Sequence, residues 1–216
     1  VQWQNNGNSL NQPTSYQILV STDSNFGLYS TSETFATSLD TTTLNPNILY
    51  YFKVRSFGVA GNASQFNAVM STYTRPAAPG VNSFQIFSTS LTVSLSGNGN
   101  PVPSTFQVQA SSNDFSAGAD FSAVLSSGPT ATLTLSTLRA NTSYQIRANV
   151  VGVGNVISTN TAVTLSTWTS PVEPGAFSTI VSSNIGVSSI TVQWIPNGNP
   201  LTPLTSYNVQ ISSVSD

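Results

Sequence analysis

The chain has 216 residues, 38% hydrophobic and 10% aromatic, which is apolar mass enough to bury a core and too much for a disordered segment. Only 6% of residues are charged, 5 basic and 7 acidic, against roughly 25% in an average soluble domain. No basic patch can therefore neutralise several phosphates, which excludes nucleic acid and anionic membrane surfaces as partners. Histidine and cysteine are both absent, and with them go disulfides, thiolate chemistry, imidazole-based triads and cysteine-ligated metal centres.

The chain opens with Val1 and Trp3, two residues apart, followed by Asn6-Gly7-Asn8, a tripeptide that favours positive φ and hence a tight turn. Tyr16, Ile18 and Val20 then alternate as one buried face of a strand. Ser21 to Phe26, "STDSNF", holds a single acid and is expected to be a turn in which Asp and Asn side chains bond their own backbone, rather than a calcium loop. Leu44, Pro46, Tyr50, Phe52 and Val54 fall at even offsets and lead into another strand; further on, Met70 is expected to point inward and Tyr73, out of phase with it, outward. "RPAAPG", Arg75 to Gly80, cannot sit in a central strand and is expected to be a short stiff linker.

Each landmark returns. Val93, Leu95 and Asn98-Gly99-Asn100 repeat the opening after 92 residues, and Val192, Trp194 and Asn197-Gly198-Asn199 repeat it after another 99. Phe106, Val108, Ala110 and Tyr207, Val209, Ile211 repeat the first alternating run; "LRANTSYQIRA" places Tyr144 94 residues after Tyr50. "SPVEPG", Ser170 to Gly175, repeats the proline segment, with Trp168 before it where Tyr73 stands earlier. Helical periodicity is missing throughout, and the complete middle unit is expected to hold seven strands near 81–89, 91–95, 105–111, 119–124, 130–135, 144–151 and 161–167. The expected domains are 1–75, lacking its first strand, 76–171, complete, and 172–216, about three strands of a third unit. On that reading the sequence is a window on a longer array; exchange of strands between two copies tiles badly, because the tail carries three strands and the head lacks one.

A Trp on the second strand, Leu44-x-Pro46-x-x-x-Tyr50 leading into the sixth, a Gly-Asn loop and a proline linker together resemble the fibronectin type III module across the whole chain. Tyr50 and Tyr144 are the most specific part of the likeness, as the tyrosine corner. The middle unit departs from the pattern with Leu95 in place of Trp and Ala140 in place of Pro, and compensating bulk is expected from Phe106 or Phe121. The low-charge Asn-Gly-Asn variant is similar to modules of very long bacterial surface repeat proteins. The resemblance implies an all-β fold of tandem seven-stranded immunoglobulin-like sandwiches. Arg-Gly-Asp is absent, so the integrin-binding role of some family members is not carried over.

Candidate chemistry is thin. Asp23, Glu33, Asp40, Asp114 and Asp120 fall in expected loops or edges, and acid–base catalysis needs two carboxylates in a cleft that a small sandwich does not offer. No enzyme, metal or cofactor is expected. Trp3, Trp194, Tyr16, Tyr50 and Tyr144 are in phase with the core; Tyr73 and Trp168 are the candidates for a contact between units or with carbohydrate. Asn62 and Asn141 match the glycosylation acceptor pattern, a match expected by chance in a chain so rich in Asn, Ser and Thr. No 18-residue apolar run and no basic-then-apolar leader occurs, so neither membrane insertion nor an export signal is expected within this segment. The expected function is a non-catalytic segment of an extracellular or cell-surface repeat protein, a stalk, filament or sheath strand whose partners are neighbouring modules or copies of itself. The alternative is an adhesin or carbohydrate-binding spacer of a larger secreted enzyme.

Overall fold

A computed structural model describes residues 1–8, 14–158, 162–178, 184–202 and 204–213. Strands β1 (Ser15–Ser21), β2 (Ser30–Thr34), β3 (Leu49–Phe57) and β4 (Met70–Tyr73) form an antiparallel sheet in the order β2-β1-β3-β4. Strands β5 (Gly80–Ile86), β6 (Ser90–Ser96) and β9 (Thr130–Ser136) form a second sheet, ordered β5-β6-β9. Strands β7 (Ser104–Ser111), β8 (Phe121–Ser127), β10 (Ser143–Val151) and β11 (Ala162–Trp168) form a third, ordered β11-β10-β7-β8. A short 3-10 turn spans Val153–Asn155.

The period-2 pattern explains the main core. Leu91, Val93 and Leu95 of β6 and Ala131, Leu133 and Leu135 of β9 face Phe106, Val108 and Ala110 of β7 and Tyr144, Ile146, Ala148 and Val150 of β10. Three strands thus lie on four in a β-sandwich, with intervening Ser, Thr and Gln outward. Phe106 is fully buried and its ring reaches the Gly97 end of β6, near Leu95, whereas Phe121 pairs with Ala110 at the other end of β7 and meets Tyr144 edge-on, centroids 5.9 Å apart; of the two expected sources of bulk, Phe106 is the one at that end. Burying a ring such as Phe106 contributes about 1.5–3 kcal/mol.

Boundaries move for local reasons. The strand expected over 119–124 starts at Phe121, because the Asp120 carboxylate accepts from the Ser112 amide and hydroxyl, each at 2.6 Å. The strand expected over 81–89 ends at Ile86, where the Phe87 amide turns back to the Ser90 carbonyl. Thr161, the expected start of the last strand, lies outside the described residues.

The smaller core around β1 and β3 consists of Tyr16, Ile18, Val20, Tyr50 and Phe52, with Trp3, Leu39, Leu44, Ile48 and Val54 packed against it. Trp3 is half-buried, tilted against Tyr16 at 5.5 Å. Among the described residues the segments packed against this sheet are joined by the Gln2–Ser38 bridge and by bonds between Val1 and Leu39 and between Trp3 and Thr37, and the consequence falls on Met70. It is 69% exposed instead of inward, whereas Leu165 at the matching place on β11 packs against the main core. The physical difference is the opposing layer: β11 lies beside β5, and no described strand does the same for β4.

Residues 171–213 contain no strand among those described, only the bridges Phe177–Trp194 and Ile185–Ile190. The run Tyr207, Val209, Ile211 was expected as a strand with one buried face, but Ile211 is 84% exposed, and Trp194 is half-buried against Tyr207, outside both cores. Alternation makes a strand only where a partner supplies the ladder, and none of the described residues pairs with this run.

Candidate functional site

The two tyrosines act alike. The Tyr50 hydroxyl accepts the Asn45 amide at 3.0 Å and the Tyr144 hydroxyl accepts the Arg139 amide at 3.1 Å, each five residues upstream, which pins the loop entering β3 or β10 to its core. On the same loops Asn47 and Asn141 hold positive φ of 55° and 45°, and their amides donate to the carbonyls of Arg75 and Ser170, at the start of the two proline segments.

The three Asn-Gly-Asn turns share one geometry. Asn6, Asn98 and Asn197 have φ of 50°, 48° and 53°; Gly7, Gly99 and Gly198 have 81°, 85° and 84°. Two successive positive φ values define a type I′ turn, and the expected turn role is what these residues perform. In each, the third residue donates its amide and its side-chain Nδ2 to the carbonyl that opens the turn: Asn8 to Asn5, Asn100 to Gly97, Asn199 to Pro196.

Sequence reasoning stopped there, and the side chains do more. Asn100 Oδ1 accepts the Ala77 amide and its Nδ2 donates to the Ala77 carbonyl, both at 2.9 Å. Asn199 binds the amide and carbonyl of Val172 in the same way, at 2.9 and 2.8 Å. Asn98 and Asn197 add Nδ2 bonds of 2.9 Å to the carbonyls of Ala78 and Glu173. Prolines 76, 79, 171 and 174 have no N–H to offer a sheet, and side-chain amides instead take both backbone groups of Ala77 and Val172 and the carbonyls of Ala78 and Glu173. The signal in the sequence was the joint recurrence of tripeptide and proline segment.

Gly152 completes the first joint. A Cβ there would lie 2.7 Å from Asn47 Oδ1 and 3.1 Å from Pro76 Cδ, so glycine permits the close approach. At the second joint Asn141 Nδ2 donates to Thr205 Oγ1 at 2.9 Å, which makes this acceptor-pattern asparagine part of a contact; Asn62 is exposed.

Tyr73 and Trp168 occupy matching ends of the edge strands β4 and β11, 45% and 53% exposed, and neither ring stacks on another aromatic ring among the described residues. The acids stay apart. Asp23 accepts the amides of Asn25 (2.9 Å) and Gly27 (3.0 Å), which hold its carboxyl below the usual value, the Asn25 bond first. Asp120 is held low chiefly by the Ser112 hydroxyl, then by the Ser112 amide. Ser111 to Ser116, "SSNDFS", holds one acid and is likewise expected to be a turn bonded by Asp and Asn side chains; the structure closes it with the Ser111 hydroxyl, which accepts the Asn113 and Phe115 amides, rather than with Asp114. A cleft was not expected, yet one of about 570 Å3 runs along residues 20–22, 28–32 and 39–44; Asp40 is the one carboxylate lining it. No group of three or more His, Cys, Asp or Glu able to hold a metal occurs among the described residues, and no described helix is long and apolar enough to cross a membrane.

No protein-family model matches the chain, and no curated protein matches it. Among solved structures it is similar to the chicken CNTN1 FN1–FN3 domains, at 17% identity over 74% of this chain and 56% of that one, with a TM-score of 0.39. It is also similar to the chicken interferon gamma receptor alpha chain, at 14% identity over 78% and 90%, with a TM-score of 0.45. The chain spans about 56% of the length of the CNTN1 structure.

Proposed function

We propose that the chain is a tandem series of fibronectin type III-like modules, divided near 75 and 171, and that it serves as a non-catalytic structural stretch of an extracellular repeat protein, a stalk, filament or sheath strand. The observation that carries this reading is the repeated joint: Asn100 on Ala77 and Asn199 on Val172 tie each proline segment to the turn that follows it by the same pair of bonds. Seven strands in two layers over 80–168, with the tyrosine corner, support the module type. Tied joints restrict bending, giving a semi-rigid rod of about 35 Å per module from strand rise. A nearly uncharged surface lowers the repulsion between copies and favours lateral contact. Small-angle scattering and electron microscopy test this: a rod that gathers laterally with concentration is expected, and flexible monomeric beads at every concentration reject the filament role.

The second reading, an adhesin or carbohydrate-binding spacer, is favoured by the exposed rings of Tyr73 and Trp168. A saturable glycan-array signal lost on Trp168→Ala supports it over the purely structural role.

A further inference from the structure

We propose that β8 is a docking edge for a second copy of the chain: β8 of one copy pairs antiparallel with β8 of the other about a two-fold axis through Val124, and the sheet β11-β10-β7-β8 runs on from copy to copy. This rests on the lateral contact read above and assigns it to one strand; the module type does not depend on it. β8 (Phe121–Ser127) ends its sheet, paired with β7 on one side and with no other described strand. Its outward amides and carbonyls form a row of donors and acceptors at the spacing of another strand. Edges are ordinarily blunted by a charge, a proline or a bulge. FSAVLSS has no charge and no proline, and its register against β7 is unbroken from Ser104–Ser127 to Ala110–Phe121. The other edges differ. β2 carries Glu33 and β4 has only 4 residues; the pairings of β5 and β11 each contain a register shift, and these two strands lie beside one another. β9 turns only Thr130, Thr132, Thr134 and Ser136 outward, whereas at β8 Val124 is 59% and Leu125 42% exposed.

Face and charge define the occupant. Phe121 and Ala123 pack against the main core and Leu125 pairs with the buried Phe106, so these three face inward, while Ser122 and Val124 face out. Val124 is the middle residue of the strand. With the axis through it, Val124 meets its own copy and Ala123 meets Leu125, so outward residues stand opposite outward ones and inward opposite inward. The apolar row beneath the sheet then continues across the junction, and the exposed part of Leu125 gains a neighbour. A second β8 also brings no charge, so no like charges are set opposite each other. A ladder of one strand from each copy is a small interface, below the roughly 1,200 Å2 at which stable complexes begin, so a single pairing is reversible and depends on concentration.

The test uses the whole chain. Sedimentation over a concentration series is expected to show reversible dimers, with association weakened at least tenfold in Val124→Lys, which sets two ammonium groups across the axis, and likewise in Ser122→Lys. Exchange of the β10 amides shows that each variant keeps its core. Because the chain has no cysteine, a single one reports the pairing. In Val124→Cys the two substituted positions lie about 4.5–5.5 Å apart at Cα, within the span of a disulfide. Oxidised glutathione is expected to yield a covalent dimer at least tenfold faster than with Gln85→Cys, whose exposed side chain lies on β5. Association that ignores both lysine variants overturns the edge pairing and leaves lateral contact standing. Equal cross-linking of the two cysteine variants also overturns the pairing, and a parent chain that is monomeric at every concentration overturns pairing and lateral contact together.

Discussion

Replacing Tyr144 by Phe removes one oxygen and little else. The ring stays 2% exposed in the main core and keeps its edge contact with Phe121; what is lost is the acceptor for the Arg139 amide. A neutral hydrogen bond contributes about 0.5–1.5 kcal/mol net, and orphaning a buried donor costs about 1–3 kcal/mol. Arg139 is exposed as a residue, so its amide is partly rehydrated in the variant, and we expect a loss of about 1 kcal/mol. For a sandwich of this size that lowers the melting midpoint by roughly 4–8 °C. Urea denaturation should show a lower midpoint with unchanged slope, and amide exchange in β10 should accelerate while exchange in β3, in the other core, does not. Tyr144→Ala, which also empties the ring's place, should cost about 3–5 kcal/mol. A Tyr144→Phe chain with an unmoved midpoint, or with β3 and β10 amides accelerated equally, would refute the assignment of the hydroxyl as a local tie.

Leu95→Trp restores the residue found at positions 3 and 194, but Leu95 is fully buried and Phe106 already fills the space beside it. Overpacking of about 1–3 kcal/mol is expected in urea melts, and a stabilised variant would show that the site has spare room. Gly152→Ala keeps an ordinary φ of −88°, but its methyl would lie 2.7 Å from Asn47 Oδ1 and 3.1 Å from Pro76 Cδ, so an overpacking cost of about 1–3 kcal/mol is expected in urea melts, with chemical shifts at Asn47 and Pro76 moving most. Asn100→Ala should speed exchange of the Ala77 amide about tenfold while β7 and β10 amides stay protected. Asp23 and Asp120 have folded pKa values lowered by the bonds they accept. Their support of the turns is therefore complete above the ordinary aspartate pKa and is lost as pH falls through the lowered values. NMR titration should find both below the ordinary value of about 3.9, with the Gly27 and Ser112 amides released in step; titration at or above it contradicts the bonding described.

The primary sequence by itself determined the features that depend on a residue and its near neighbours. Alternation set which face of β6, β7, β9 and β10 is buried, Asn-Gly set positive φ at three turns, and Leu-x-x-x-x-x-Tyr set the hydroxyl that ties each loop to its core. These follow from pleat geometry and local sterics, which need no knowledge of what lies opposite. What only the tertiary structure decided depends on the opposing layer. Met70 and Leu165 read alike in sequence, yet one is exposed and the other packed; Val209 and Ile211 alternate as Val108 and Ala110 do, and form no strand among the described residues. The grip of Asn100 on Ala77 belongs to the same class: an asparagine declares its turn through its own backbone, but the partner of its side-chain amide is chosen by the segment folding brings to it, 23 residues away in the chain.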